Sequence, residues 1–141
     1  MTNVALVTRK LAVLQEHLQR LTQRRPTTMD ALRGDALLQD AIAMSILVVV
    51  QEAMDIALHV ASDEGWELAP TYREAFVVLA RHGLISDTLA TSLAGAAQLR
   101  NRIAHGYATL DVDRLWTELP SGMASFGEFA AAVARFVAGG G

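Results

Sequence analysis

The stretch LLQDAIAMSILVVVQEAMDIALHVASD, Leu37–Asp63, decides how this chain is read. Its centre, Ala41–Val50, is apolar except for Ser45 and is flanked by Gln39, Asp40, Gln51 and Glu52. That apolar run is too short to span a bilayer, so it reads as a buried core helix and not a membrane segment. Between Ile42 and Val50 the helix is apolar almost all round. Such a helix lies centrally in a bundle or is covered by a second subunit. The pattern predicts helix from Asp35 to about Ser62. Glu52, Asp55 and His59 then fall at spacings of three and four, which places them on one face.

Upstream, Val4, Val7, Leu11, Leu14, Leu18 and Leu21 recur at alternating steps of three and four, one apolar stripe on a first helix. Arg24-Arg25-Pro26 ends it, because proline disfavours helical geometry in the residue before it. Thr27, Thr28 and Asp30 can cap a short turn, and Gly34-Asp35 can restart the chain. Downstream, SDEGWELAP, Ser62–Pro70, is the clearest loop, with Gly65 and Pro70 as breakers. Thr71 and Glu74 form a capping box ahead of AFVVLA. Gly83 suits a C-terminal cap, with Leu84 and Ile85 packing back. Ser86 or Asp87 caps the next helix, whose buried stripe is Leu89, Leu93, Ala96, Ala97, Leu99 and Ile103. Asp111 starts a last helical region that Pro120 bends or breaks. Gly139, Gly140 and Gly141 read as a disordered tail. The expectation is an all-α, antiparallel bundle of about five helices, one domain over residues 1–141.

Composition agrees and excludes several classes. The chain has 141 residues, 52% hydrophobic and 6% aromatic, a mix that favours helices. It has no cysteine, hence no disulfide framework and no thiolate site, which fits a cytoplasmic location. Net charge is −3, so nucleic acid would be held by a local basic patch and not by the surface at large. All basic residues but Lys10 are arginine, which suits phosphate recognition and equally follows from a GC-rich genome. No Gly-rich phosphate loop, His-Cys zinc spacing or nucleophile elbow is present, and no cofactor or metal is expected.

Polar chemistry gathers at RNRIAHGY, Arg100–Tyr107. Asn101 and His105 are four apart, so they share a face and Asn101 can orient the imidazole. Arg100 and His105 are five apart, roughly 140° round the helix. They converge on one group if the arginine bends round or if the helix stops at His105, as Gly106 suggests. His105 then sits at the negative end of the helix dipole, a place that favours a cation. An arginine can stabilise charge on a phosphoryl oxygen and a histidine can move a proton, which together could cleave RNA without a metal. By themselves these residues fit ordinary helix capping better, since Arg-x4-His is a weak pattern.

The order of signals resembles the HepT toxin family, a branch of the HEPN superfamily. The central helix comes first, then the turn APTYREAFVVLARHGLIS, Ala69–Ser86, then LRNRIAHGYATLD, Leu99–Asp111, which looks like that family's Arg-x4-His-x-Tyr motif. The likeness runs from about Leu37 to Leu115. It implies a helical bundle that forms a homodimer, with the motifs lining a cleft between subunits. Arg100 and His105 match the family's ribonuclease pair, acting on RNA such as tRNA. Tyr107 matches the tyrosine that a minimal nucleotidyltransferase antitoxin, MntA, modifies with AMP. An AMP there would place bulk and negative charge beside a phosphate site, so it should block and repel. The rival reading is a helical interaction module without catalysis that binds a nucleotidyltransferase or a nucleotide.

Other residues are weighed against plainer roles. Asp55 is a supporting candidate, an acid placed to hold the Arg100 guanidinium, and Asn101 is a second. Arg102 can add to the phosphate patch or be a solvated charge. Glu52, Asp55 and His59 read as an interhelical polar cluster more readily than as metal ligands. Arg73, Arg81 and His82 read as solvent-facing, and Trp66 and Trp116 as packing at the bundle ends.

Overall fold

The structure, a computed structural model, describes residues 1–105 and 111–139. Among them the chain is helical, with six helices: α1 (Val4–Arg24), α2 (Met29–Arg33), α3 (Ala36–Asp63), α4 (Tyr72–Arg81), α5 (Asp87–His105) and α6 (Val112–Ala138). The sixth, beyond the expected five, is α2. Thr28 caps it by accepting from the Ala31 N–H at 3.2 Å, and its Leu32 is fully buried. One buried leucine and a cap are enough to hold this single turn against α3 and α6.

Helix α3 packs against all five others, as its all-round apolar character requires. Ile42, Val49, Val50, Met54, Ile56 and Val60 are buried in the common core. It is long and apolar enough to cross a membrane by length and composition, but these side chains face protein. The apolar run is not covered on every side. Met44 is 58% exposed, and Leu47 and Val48 are only half-buried. The α1 stripe buries Val7, Leu11, Leu14 and Leu21 against α3 and α6.

Local signals set the boundaries. Asn3, Asp35, Thr71, Ser86 and Asp111 each accept a backbone N–H in the first turn that follows. Helices α3 and α4 close the same way. Gly65 and Gly83 take φ of +71° and +78°, where a side chain is strained. The next N–H then reaches back, Trp66 to Ala61 at 2.8 Å and Leu84 to Leu79 at 3.0 Å.

Pro120 neither breaks α6 nor divides it; the helix continues through it. Proline removes one intrahelical hydrogen bond and costs about 3 kcal/mol in a helix interior. Here both halves are anchored in the core, Leu115 and Leu119 before it and Phe126, Phe129 and Val133 after it. Packing on both sides offsets the lost bond. Gly139 closes α6, and Gly140 and Gly141 lie outside the described residues.

Trp66 and Trp116 both pack on the edge of the core. Trp66 stacks on the His82 ring at 4.3 Å and 4°, and Arg25 lies over Trp116 at 4.8 Å. His82 also meets Glu67 at 2.8 Å, which holds the Glu67 carboxyl below the usual carboxylate range. His82 is exposed as expected, and its contacts with Glu67 and Trp66 also tie the 64–70 loop to the end of α4.

Candidate active site at the end of helix α5

Arg100, Asn101, Arg102 and His105 occupy the last turns of α5, and the helix is described to His105. The buried Ile103 fixes which way this end faces, leaving Asn101, Arg102 and His105 exposed and Arg100 half-buried. Gly106 and Tyr107 lie outside the described residues.

The Arg100 guanidinium is held by two amide oxygens. Its Nη2 donates to Gln51 Oε1 on α3 at 3.3 Å, and its Nη1 to Asn101 Oδ1 at 3.3 Å. Asn101 thus turns its oxygen to Arg100, in place of the expected contact with His105. The expected direct pair between Asp55 and Arg100 is likewise replaced by a relay. Gln51 Nε2 donates to Asp55 Oδ1 at 3.0 Å, and Asp55 Oδ2 receives Lys10 Nζ from α1 at 3.4 Å. Gln51 lies one turn before Asp55 and its side chain is one methylene longer, so it meets the arginine and the acid stands behind it.

Lys10 also faces Glu52 Oε2 at 3.6 Å, a buried oxygen without a hydrogen-bond donor. Glu52 and Asp55 thus form an interhelical ion cluster around one ammonium. An open cavity of about 290 Å³ lies in front, lined by Leu47, Val48, Gln51, Glu52, Arg100 and Ala104. Its walls are largely aliphatic, and among the described residues the Arg100 guanidinium is its lining cation and Glu52 its lining acid.

Arg102 faces another way. Two residues on from Arg100, it lies about 200° round the helix. Its Nη2 meets Glu118 Oε2 on α6 at 3.4 Å, and Arg114 Nε meets Glu118 Oε1 at 2.8 Å. The structure separates Arg100 from Arg102 by the width of α5. Gln51 and Lys10 were not singled out in the sequence. Gln51 sits one turn before Asp55, so extending that polar face by four residues would have found it. Nothing local points to Lys10, which lies 45 positions from Asp55.

This geometry has relatives. A family model described as ribonuclease HepT-like matches residues 14–133. The chain is 25% identical over 108 residues to an mRNA nuclease HepT of Shewanella oneidensis, covering 77% of this chain and 80% of that one. It is 25% identical over 118 residues to a tRNA nuclease HepT of Aphanizomenon flos-aquae, covering 82% and 80%. The fold matches a tri-AMPylated Shewanella oneidensis HEPN toxin in complex with MNT antitoxin, with a TM-score of 0.84, 22% identity and coverage of 96% and 99%. It also matches YutE, a cytosolic Bacillus subtilis protein of unknown function, with a TM-score of 0.84, 10% identity and coverage of 96% and 91%. With the family model spanning most of the chain, this protein belongs to the HepT-like ribonuclease family.

Proposed function

We propose that the chain is the toxin of a toxin–antitoxin pair, a metal-independent endoribonuclease whose catalytic residues are Arg100 and His105. The observation that carries the reading is the Arg100 guanidinium, fixed by Gln51 and Asn101 at the mouth of a cavity on the helix turn that leads to His105. The chemistry needs no group beyond these. The ribose 2′-hydroxyl of one nucleotide attacks the adjacent phosphorus, and the bond to the 5′-oxygen of the next nucleotide breaks. A 2′,3′-cyclic phosphate and a free 5′-hydroxyl result. His105 moves protons between the attacking and leaving oxygens, and Arg100 stabilises the crowded phosphorane. Arg102 would meet the strand on the other side of α5.

The curated relatives are named for both mRNA and tRNA cleavage, and tRNA is the substrate we favour. Silencing would come from AMP placed on Tyr107 by an MntA-like minimal nucleotidyltransferase, a reading supported by the tri-AMPylated toxin bound to MNT antitoxin. A homodimer is supported by the exposed Met44 and the half-buried Leu47 and Val48 beside Arg100. The cytosolic structural relative fits a cytoplasmic location.

End analysis of the cleaved RNA tests the chemistry. The products should carry 2′,3′-cyclic phosphate and 5′-hydroxyl ends; 5′-phosphate ends would require a different nucleophile and reject this mechanism. Intact mass after incubation with the partner and ATP should rise by AMP units, and Tyr107→Phe should prevent the rise. A gain that survives Tyr107→Phe would place the modification elsewhere.

A further inference from the structure

The arginines of this chain are not held alike. Arg20, Arg33, Arg102 and Arg114 each face a carboxylate, at 2.7 to 3.4 Å. Arg100 instead faces two neutral amide oxygens, those of Gln51 and Asn101. The difference matters for a group that must meet a phosphate. A carboxylate fixes a guanidinium but cancels its charge, whereas an amide oxygen fixes it and leaves the charge in place.

An amide can hold a cation only if its oxygen points the right way. Gln51 Nε2 donates to Asp55 Oδ1 at 3.0 Å, so the amide nitrogen is committed to the acid and the oxygen is left for Arg100. A flipped amide would set N–H against guanidinium and oxygen against carboxylate, two repulsive contacts in place of two hydrogen bonds. Asp55 is in turn paired at 3.4 Å with Lys10, an ammonium it shares with Glu52 at 3.6 Å, which offsets part of the charge of the two acids behind Gln51. The chain Lys10–Asp55–Gln51–Arg100 joins α1, α3 and α5 and ends at the cavity.

We infer that Gln51 is a positioning residue for the reaction. It orients Arg100 toward the scissile phosphate without neutralising it, and Asp55 and Lys10 set the direction of its amide. The inference rests on the ribonuclease reading above and adds to it a role for three residues outside the Arg-x4-His-x-Tyr motif.

The test is steady-state cleavage of a labelled RNA by the full chain and its Gln51 variants. Gln51→Glu keeps size and shape but puts a carboxylate on Arg100 and a like charge beside Asp55. Gln51→Leu removes the hold altogether. Both should lower kcat by about 10- to 100-fold, below the effect of losing a whole charge-stabilising donor, with KM within about twofold. A melting temperature near that of the wild type separates this from loss of fold. Chemical rescue gives a readout that a structural role would not move. Millimolar guanidinium should restore part of the activity of Arg100→Ala, and Gln51→Leu in that background should abolish the restoration. The isosteric Gln51→Glu keeps the test decisive if Gln51→Leu folds poorly. Wild-type kcat in the folded Gln51→Glu protein, alongside an inactive Arg100→Ala, would overturn the inference and leave the ribonuclease reading standing. A wild type that cleaves no RNA would overturn both.

Discussion

Charge placement at single residues governs what this surface can bind. Glu118 is shared by Arg102 and Arg114, and its hydrogen bond to Arg114 raises that guanidinium's affinity for its proton. The pairs are half-exposed, so solvent screens them and they add little to stability. Releasing the arginines should matter more for RNA than for the fold. Glu118→Gln is expected to tighten RNA binding and steepen its salt dependence, as two cations become available to phosphates. Filter binding across a salt series checks this, and weaker binding would place the strand elsewhere. His17 gives a prediction about pH. Its Nδ1 lies 3.1 Å from the buried Ser45 hydroxyl, and burial, followed by the charge of Arg20, lowers it below the ordinary imidazole value of 6.5; Arg24 acts the same way, and Glu16 and Glu52 oppose. The fold thus favours neutral His17. Its contribution is complete above the unfolded value and is lost as pH falls through the lowered folded one. Denaturant titrations between about pH 7 and about pH 5 should show stability falling with acid, and less steeply in His17→Gln. An unchanged slope would show that His17 takes no part.

Elements were legible where the governing rule is local. The α1 stripe from Val7 onward, the caps at Thr71 and Asp111 and the glycine stops at Gly65 and Gly83 each depend on a few neighbouring residues and stand where those residues indicate, while Val4 at the start of the stripe is exposed. What was not legible depends on distant partners. The Arg100–Gln51 contact spans 49 positions, and a pattern read along one helix cannot say which residue of another will meet it. Pro120 misleads for the same reason, because its local cost is plain while the packing that offsets it comes from α1, α3 and α5. Since Pro120 is exposed, Pro120→Ala should restore the missing hydrogen bond without disturbing the core. Stability should rise by about 1–3 kcal/mol in urea unfolding. A loss of stability would mean that α6 needs the proline. Gly83→Ala should lower stability by about 1 kcal/mol or more, because alanine is strained at φ of +78°.

The bundle places the Arg100 cavity beside the part of α3 that its own helices leave uncovered. Met44 is 58% exposed and Leu47 and Val48 line the cavity wall. A second copy seated there would bring two Arg100 and two His105 groups toward one strand. Met44→Asp with Leu47→Asp should therefore yield monomers in sedimentation and lose RNA cleavage together; active monomers would show that one chain holds a complete site. All of this depends on the end of α5 being a ribonuclease centre. The measurement that tests it most directly is cleavage of labelled total tRNA by purified chain whose intact mass shows no AMP, with EDTA present and His105→Ala in parallel. The wild type should cut the RNA and His105→Ala should leave it intact. Intact RNA in both lanes, or equal cutting in both, would contradict a ribonuclease centre at the end of α5.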